Sequence, residues 1–138
     1  MKLIIRNYAK VLLVLIAMLG VVSCQDEETI RDRLLGRTWV GDLGFSDRGN
    51  ALESGLTFQS NGFGMDKQYY YNSLLEGYYE MPFRWMLNGN DLRLDYGEDR
   101  YGESLMLELK NVYIDNGVLS GILYVNYKYY DNVELVME

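Results

Sequence analysis

Five carboxylates fall within one short stretch: Asp91, Asp95, Glu98, Asp99 and Glu103. Two chemistries use such clusters. A pair of carboxyl groups about 5–9.5 Å apart serves as acid and nucleophile, or acid and base, in glycoside hydrolysis. Several hard oxygens together hold Ca²⁺. The run from Asp95 to Glu103, with Gly97 and Gly102 inside it, is an acidic turn whose spacing departs from the EF-hand loop. A solvated hairpin with Arg100 as counter-charge accounts for the same residues. Spacing alone identifies no catalytic pair, because the fold sets that geometry. The chain has no histidine, which removes the usual general base near neutral pH, the usual zinc ligand and the usual triad partner. Nor does it hold a phosphate-binding glycine loop, a nucleophile elbow or a metal-ligand cluster. The expectation is a protein without catalysis, with no catalytic residue, no metal ligand and no cofactor.

Aromatic residues offer binding rather than catalysis. Trp39, Phe58, Phe83 and Trp85 are placed either to line an apolar pocket or to fill a core. Tyrosines gather in three patches: Tyr69-Tyr70-Tyr71, Tyr78-Tyr79, and Tyr127 with Tyr129 and Tyr130. Successive side chains on a strand alternate faces, so Tyr69 and Tyr71 share one side and Tyr70 takes the other. A tyrosine ring has an apolar body and a polar tip, which suits sugar stacking or protein contact. Ordinary sheet surface is the competing explanation, since aromatics favour strands. The ligand-binding candidates are Trp39, Trp85, Tyr69 and Tyr71.

One further residue carries chemistry. Cys24 is the chain's single cysteine. Before it come the basic segment Met1 to Lys10, with Lys2, Arg6 and Lys10, and the apolar run Val11 to Leu19. This is the layout of a secretory signal peptide, and the apolar run is shorter than the roughly 20 residues of a membrane span. Val21-Val22-Ser23-Cys24 resembles the lipobox of bacterial lipoproteins. The resemblance implies a diacylglyceryl thioether on Cys24, cleavage before it and acylation of the new N-terminus. Two or more acyl chains hold a protein stably on a membrane, at about 0.8 kcal/mol per buried CH₂. Gln25-Asp26-Glu27-Glu28 resembles the acidic export signal of surface lipoproteins in Bacteroidetes-type bacteria, which implies the outer membrane, facing outward. The domain reading is residues 1–23 as lipoprotein signal peptide, 24–28 as acidic tether and 29–138 as a folded β domain.

The elements that must position these residues are short strands. Thr29 to Gly36 is predicted to be one helix, with Thr29 as cap, Asp32 in the capping-box position and Gly36 as the left-handed stop. Ile30 and Leu34 share a face and are expected to plug one end of the β domain. From Arg37 the apolar period drops to two. Strands are predicted near 37–41, 56–59, 62–71, 83–87, 92–96, 105–110, 119–125 and 133–137. Asn61-Gly62 and Asn116-Gly117 mark tight hairpins. Regular short strands without an intervening helix argue an all-β antiparallel meander, and eight of them hide their edges by closing into a small barrel or sandwich.

The order Leu35-Gly36 before Trp39, then Leu56 to Gly64, then Phe83 and Trp85, then Asn90-Asp91-Leu92 and Leu94 resembles the small lipocalin-like lipoproteins of Bacteroidetes. That likeness implies a lipocalin-like barrel across roughly residues 34–138.

Charge limits the partners. Removing residues 1–23, which carry three bases and no acid, takes the net charge from −7 to −10. Such a domain is repelled by nucleic acid and gains nothing from an anionic bilayer by charge alone. The functional expectation is a lipid-anchored extracytoplasmic binding or accessory protein. Its partners are the membrane, through Cys24, and a glycan or another envelope protein. A glycan-binding or glycan-cleaving surface protein and a structural envelope protein are the alternatives.

Overall fold

A computed structural model describes residues 25–138. The signal-peptide reading of residues 1–23 and the lipidation of Cys24 lie outside the described residues. Helix α1 spans Glu27–Leu34. Nine strands come after it: β1 Thr38–Gly41, β2 Ser46–Asp47, β3 Asn50–Phe58, β4 Phe63–Tyr70, β5 Tyr78–Asn88, β6 Asp91–Glu98, β7 Ser104–Asp115, β8 Val118–Val125 and β9 Lys128–Met137. Each pairs antiparallel with its neighbours, and β1 bonds both β9 and β3. Eight strands therefore close into a barrel, and β2 adds a two-residue rung on β3. The expected antiparallel barrel is present, and closure leaves none of its eight strands with a free edge.

Alternation fills the interior. Leu52, Ser54, Leu56 and Phe58 of β3 are buried, as are Phe83, Trp85 and Leu87 of β5, and Leu92 and Leu94 of β6. In β7 the buried residues change phase, from Leu107 and Leu109 to Val112 and Ile114. A bulge between Lys110 and Tyr113 causes the change. There Asn111 takes φ 54°, and its amide donates to Asp91 Oδ1 at 3.3 Å. One extra residue flips the pattern, so both halves of the strand face inward with apolar side chains.

The two ends of the barrel differ. Helix α1 closes the first, with Ile30 and Leu34 fully buried. Burying each is worth about 1.5–3 kcal/mol. The helix starts two residues before the expected Thr29, because Asp26 is the cap: its carboxylate accepts from Thr29 N at 2.8 Å. This places Glu27 and Glu28 in the first turn and Arg31 and Arg33 near the last, as the helix dipole favours. Gly36 takes φ 72° beyond the helix. Residues 25–28 thus belong to the folded unit. Gln25 donates from Nε2 to Ile114 O at 2.8 Å and accepts from Ile114 N at 2.8 Å, and the Arg33 guanidinium donates to the same carbonyl.

The second end, the mouth, is crossed by the segment 42–49. Leu43 is buried there, and the half-buried Phe45 ring lies 5.6 Å from Tyr96. Arg48 and Gly49, both at positive φ, form the two-residue turn that folds β2 back on β3.

Candidate functional site

The inner wall of β4 is unusual. Its inward positions are Gly64, Asp66, Gln68 and Tyr70, while Phe63, Met65 and Tyr69 face out. The apolar side of this strand is on the solvent face. The inward polar residues build a cluster beneath the mouth. Asp66 is fully buried, and its Oδ2 accepts from Tyr96 Oη at 2.8 Å, Gln68 Nε2 at 3.0 Å and Ser54 Oγ at 3.1 Å. Among the described residues, its Oδ1 has no hydrogen-bond partner. Above it, Asp47 of β2 accepts from Tyr70 Oη at 2.6 Å and Tyr79 Oη at 2.9 Å, and the two hydroxyls lie 3.2 Å apart. This second set ties the segment 42–49 to β4 and β5 across the mouth.

The electrostatics follow from burial and bonding. Burial raises the Asp66 carboxyl above its ordinary 3.8, against the pull of its hydrogen bonds from Gln68, Tyr96 and Ser54 and of the Gly55 amide. Burial, and then the Asp66 charge, push Tyr96 up as well. Asp47 moves the other way, held low chiefly by Tyr70, whose own hydroxyl is pushed up by the same bond. For Asp66 the consequence has a sign. Its folded value exceeds its unfolded one, so its contribution to stability is fully present below pH 3.8. That contribution is lost as pH rises through the raised value. Asp66→Asn removes the ionisation while leaving an acceptor for the three donors. In urea unfolding, the stability of Asp66→Asn relative to wild type rises as pH climbs above 3.8. A difference that stays constant with pH would mean that burial does not raise the Asp66 carboxyl.

The structure separates the four ligand-binding candidates. Trp39 is buried near α1, and its indole N–H donates to Leu34 O at 3.1 Å. Trp85 is also buried toward that end, edge-on to Phe58 at 5.6 Å, with its N–H shared between Gln59 O at 2.9 Å and Phe63 O at 3.1 Å. Both tryptophans lie in the packed interior. Tyr69 and Tyr71 are exposed on the outside near the mouth. Tyr69 faces Tyr78 at 5.4 Å, and Lys67 Nζ lies 4.3 Å from the Tyr78 ring and 5.8 Å from the Tyr69 ring. A hydrogen bond from Lys67 to Tyr69 raises the Lys67 ammonium.

Beside this trio the outer wall is dented at Gly55, where no side chain projects. The hollow, about 270 Å³, is lined by Thr38, Val40, Glu53, Thr57, Lys67 and Tyr69 among others. It falls just below the range of roughly 300–1,000 Å³ that small-molecule sites occupy.

The five carboxylates do not meet in a cleft. Asp95 Oδ1 accepts from Gly97 N at 2.9 Å, and Asp99 Oδ1 from Tyr101 N at 2.8 Å and Glu103 N at 3.0 Å. Asp91 holds the β7 bulge. Each bonded carboxylate serves its own turn or its neighbour's. Among the described residues, no group of three or more Asp, Glu, Cys or His side chains is arranged to hold a metal ion.

Sequence reasoning missed Asp66, Gln68, Ser54 and Tyr96. The signal was present in the alternation Gly64, Asp66, Gln68, Tyr70, but polar residues in phase are normally assigned to the solvent face. In comparison with known proteins, no family model, no curated protein and no solved structure matches this chain.

Proposed function

We propose that this chain is a non-catalytic, lipid-anchored binding or accessory protein of the bacterial outer membrane, exposed at the cell surface and held with its mouth away from the bilayer. One observation carries the orientation. Gln25, adjacent in sequence to Cys24, is fastened by two hydrogen bonds to the backbone of Ile114 at the α1 end. Consecutive Cα atoms are about 3.8 Å apart, so lipid on Cys24 leaves the domain from that end. The mouth, with its tyrosines, then faces outward.

The test is labelling of growing cells with radioactive palmitate. Wild-type chain takes up label and partitions with membranes. Cys24→Ser takes up none and is released in soluble form or stalls unprocessed. Equal labelling and retention of Cys24→Ser sinks the proposal.

A second reading keeps the anchor and makes the ligand a glycan. It is favoured by the hollow at Gly55, where an aromatic ring, two threonines, an ammonium and a carboxylate converge. That mixture of stacking surface, donors and acceptors matches the surface of a sugar.

A further inference from the structure

Among the described residues, the large apolar side chains most open to solvent are Leu74, Tyr101 and Tyr127, at 88%, 75% and 71% exposure. They come from three different connections, β4–β5, β6–β7 and β8–β9. In an antiparallel meander these connections all emerge at the same end, which here is the mouth. The three side chains therefore stand around one rim, at the opposite end from α1 and Gln25.

Each tip is held by a neighbouring Asn or Asp. Asn72 Oδ1 accepts from Leu74 N at 3.0 Å. Asp99 Oδ1 accepts from Tyr101 N at 2.8 Å. Asn126 accepts at Oδ1 from Met106 N at 2.9 Å and donates from Nδ2 to Ser104 O at 3.1 Å. Tips ordered in advance lose little conformational freedom when something docks on them.

Tyr127 adds an independent sign. Asn126 and Tyr127 form the two-residue turn between Val125 and Lys128, at φ 47° and 68°. Such a turn favours glycine at its second position, and a bulky residue there is strained. Backbone strain of this kind concentrates where a side chain has a task. Here a strained position presents a largely exposed aromatic ring.

Charge decides what the rim fits. The mouth segments 42–49, 71–78, 98–103 and 126–131 carry seven acidic and three basic side chains. A second copy, mouth to mouth, and an anionic bilayer are both repelled. A basic polypeptide is attracted.

We propose that the rim is a docking surface for a basic polypeptide segment bearing apolar side chains, with Leu74, Tyr101 and Tyr127 as anchors and Glu76, Glu98 and Glu103 supplying charge. This deepens the binding reading above. It rests on that reading for the direction the mouth faces, while the docking itself needs no anchor.

The test uses the full chain carrying Cys24→Ser, in solution. The probes are an immobilised peptide of alternating lysine and leucine, and its counterpart with glutamate for lysine. The lysine peptide binds and the glutamate peptide does not. Tyr127→Gly relieves the strained turn, so it raises the urea midpoint while weakening binding about tenfold. Joint Glu76→Gln, Glu98→Gln and Glu103→Gln also weakens binding about tenfold. Removing the same charge at the α1 end, by Glu28→Gln, Asp32→Asn and Asp115→Asn, changes it by less than about twofold.

The proposal is overturned if the lysine peptide fails to bind or the glutamate peptide binds as well. It is also overturned if the two triple variants weaken binding equally, or if Tyr127→Gly binds like wild type. Because no lipid is present, failure here leaves the anchor reading standing. Failure of palmitate labelling likewise leaves the docking result intact.

Discussion

Gly64→Ala lowers the stability of the barrel by about 3 kcal/mol, the upper end of the usual cost of overpacking. Gly64 faces inward on β4, and an ideal Cβ there sits 2.3 Å from Phe83 Cε2 and 2.6 Å from Thr57 O. The Phe83 ring cannot simply turn away. It is buried between Phe58, at 5.5 Å, and Tyr96, at 5.4 Å. The carbonyl belongs to the adjacent strand, so relief there means spreading β3 from β4. Urea unfolding reads the loss as a lower midpoint at unchanged slope. Adding Phe83→Leu recovers part of it, and the double variant is more stable than the sum of the singles implies. Additive losses would show that the ring is not the obstacle.

Trp39→Ala costs about 4 kcal/mol, within the range for removing a buried large aromatic. Two effects combine. A cavity opens where Trp39, 1% exposed, had filled the α1 end. The Leu34 carbonyl also loses the indole N–H at 3.1 Å, and an orphaned buried acceptor has its own cost. Helix α1 is then less firmly seated, so its amides exchange faster than those of the β6–β7 rungs at the mouth, where Gly97 faces Leu105. Trp39→Phe retains most of the volume and loses less. A Trp39 that lined an open ligand pocket would behave differently, with little loss of stability on truncation. That result would return the tryptophans to the set of binding residues.

Much of the fold was legible in the sequence because the relevant signals are local. The period-two runs around Phe83, Leu92 and Val133 and the Asn116-Gly117 turn, with both residues at positive φ, were sufficient for a meander. The two-residue turn expected at Asn61-Gly62 is instead a four-residue connection, 59–62, in which only Gly62 takes positive φ. Closure followed from the need to hide edges. Two features resisted. The phase change in β7 depends on a bulge at Asn111, and in the sequence the step from Leu109 to Val112 reads equally as the end of a strand. Strand β4 reads backwards: by hydrophobicity Phe63, Met65 and Tyr69 belong inside, yet Gly64, Asp66, Gln68 and Tyr70 are there. Register with β3 and β5 outweighs the preference of the strand itself, and slipping by one residue would bring the Lys67 ammonium inward. The polar cluster around Asp66 was hidden for the same reason. It is assembled from three strands, and no single stretch of sequence contains it.

The candidate site was half legible. The tyrosine patches are visible in the sequence, but the spacing could not show that Trp39 and Trp85 lie inside while Tyr69 and Tyr71 lie outside. Nor could it show that the mouth connections carry the most exposed apolar tips. That arrangement depends on antiparallel topology, which sends every second connection to the same end.

The proposed orientation stands the domain on the membrane by its α1 end with the mouth outward, and fluorescence quenching tests it most directly. Cys24 is the only native cysteine, so once it is lipidated a single introduced thiol is labelled cleanly. Leu74→Cys places a fluorophore at the mouth and Asn88→Cys places one at the α1 end, both at exposed positions. An eight-residue strand such as β4 spans roughly 26 Å, and tilt in a barrel reduces this to about 20 Å of height. The lipidated chain is reconstituted into vesicles whose lipids carry a collisional quencher in the headgroup. The expected result is strong quenching at residue 88 and almost none at residue 74. Equal quenching at both, or stronger quenching at residue 74, would contradict the orientation.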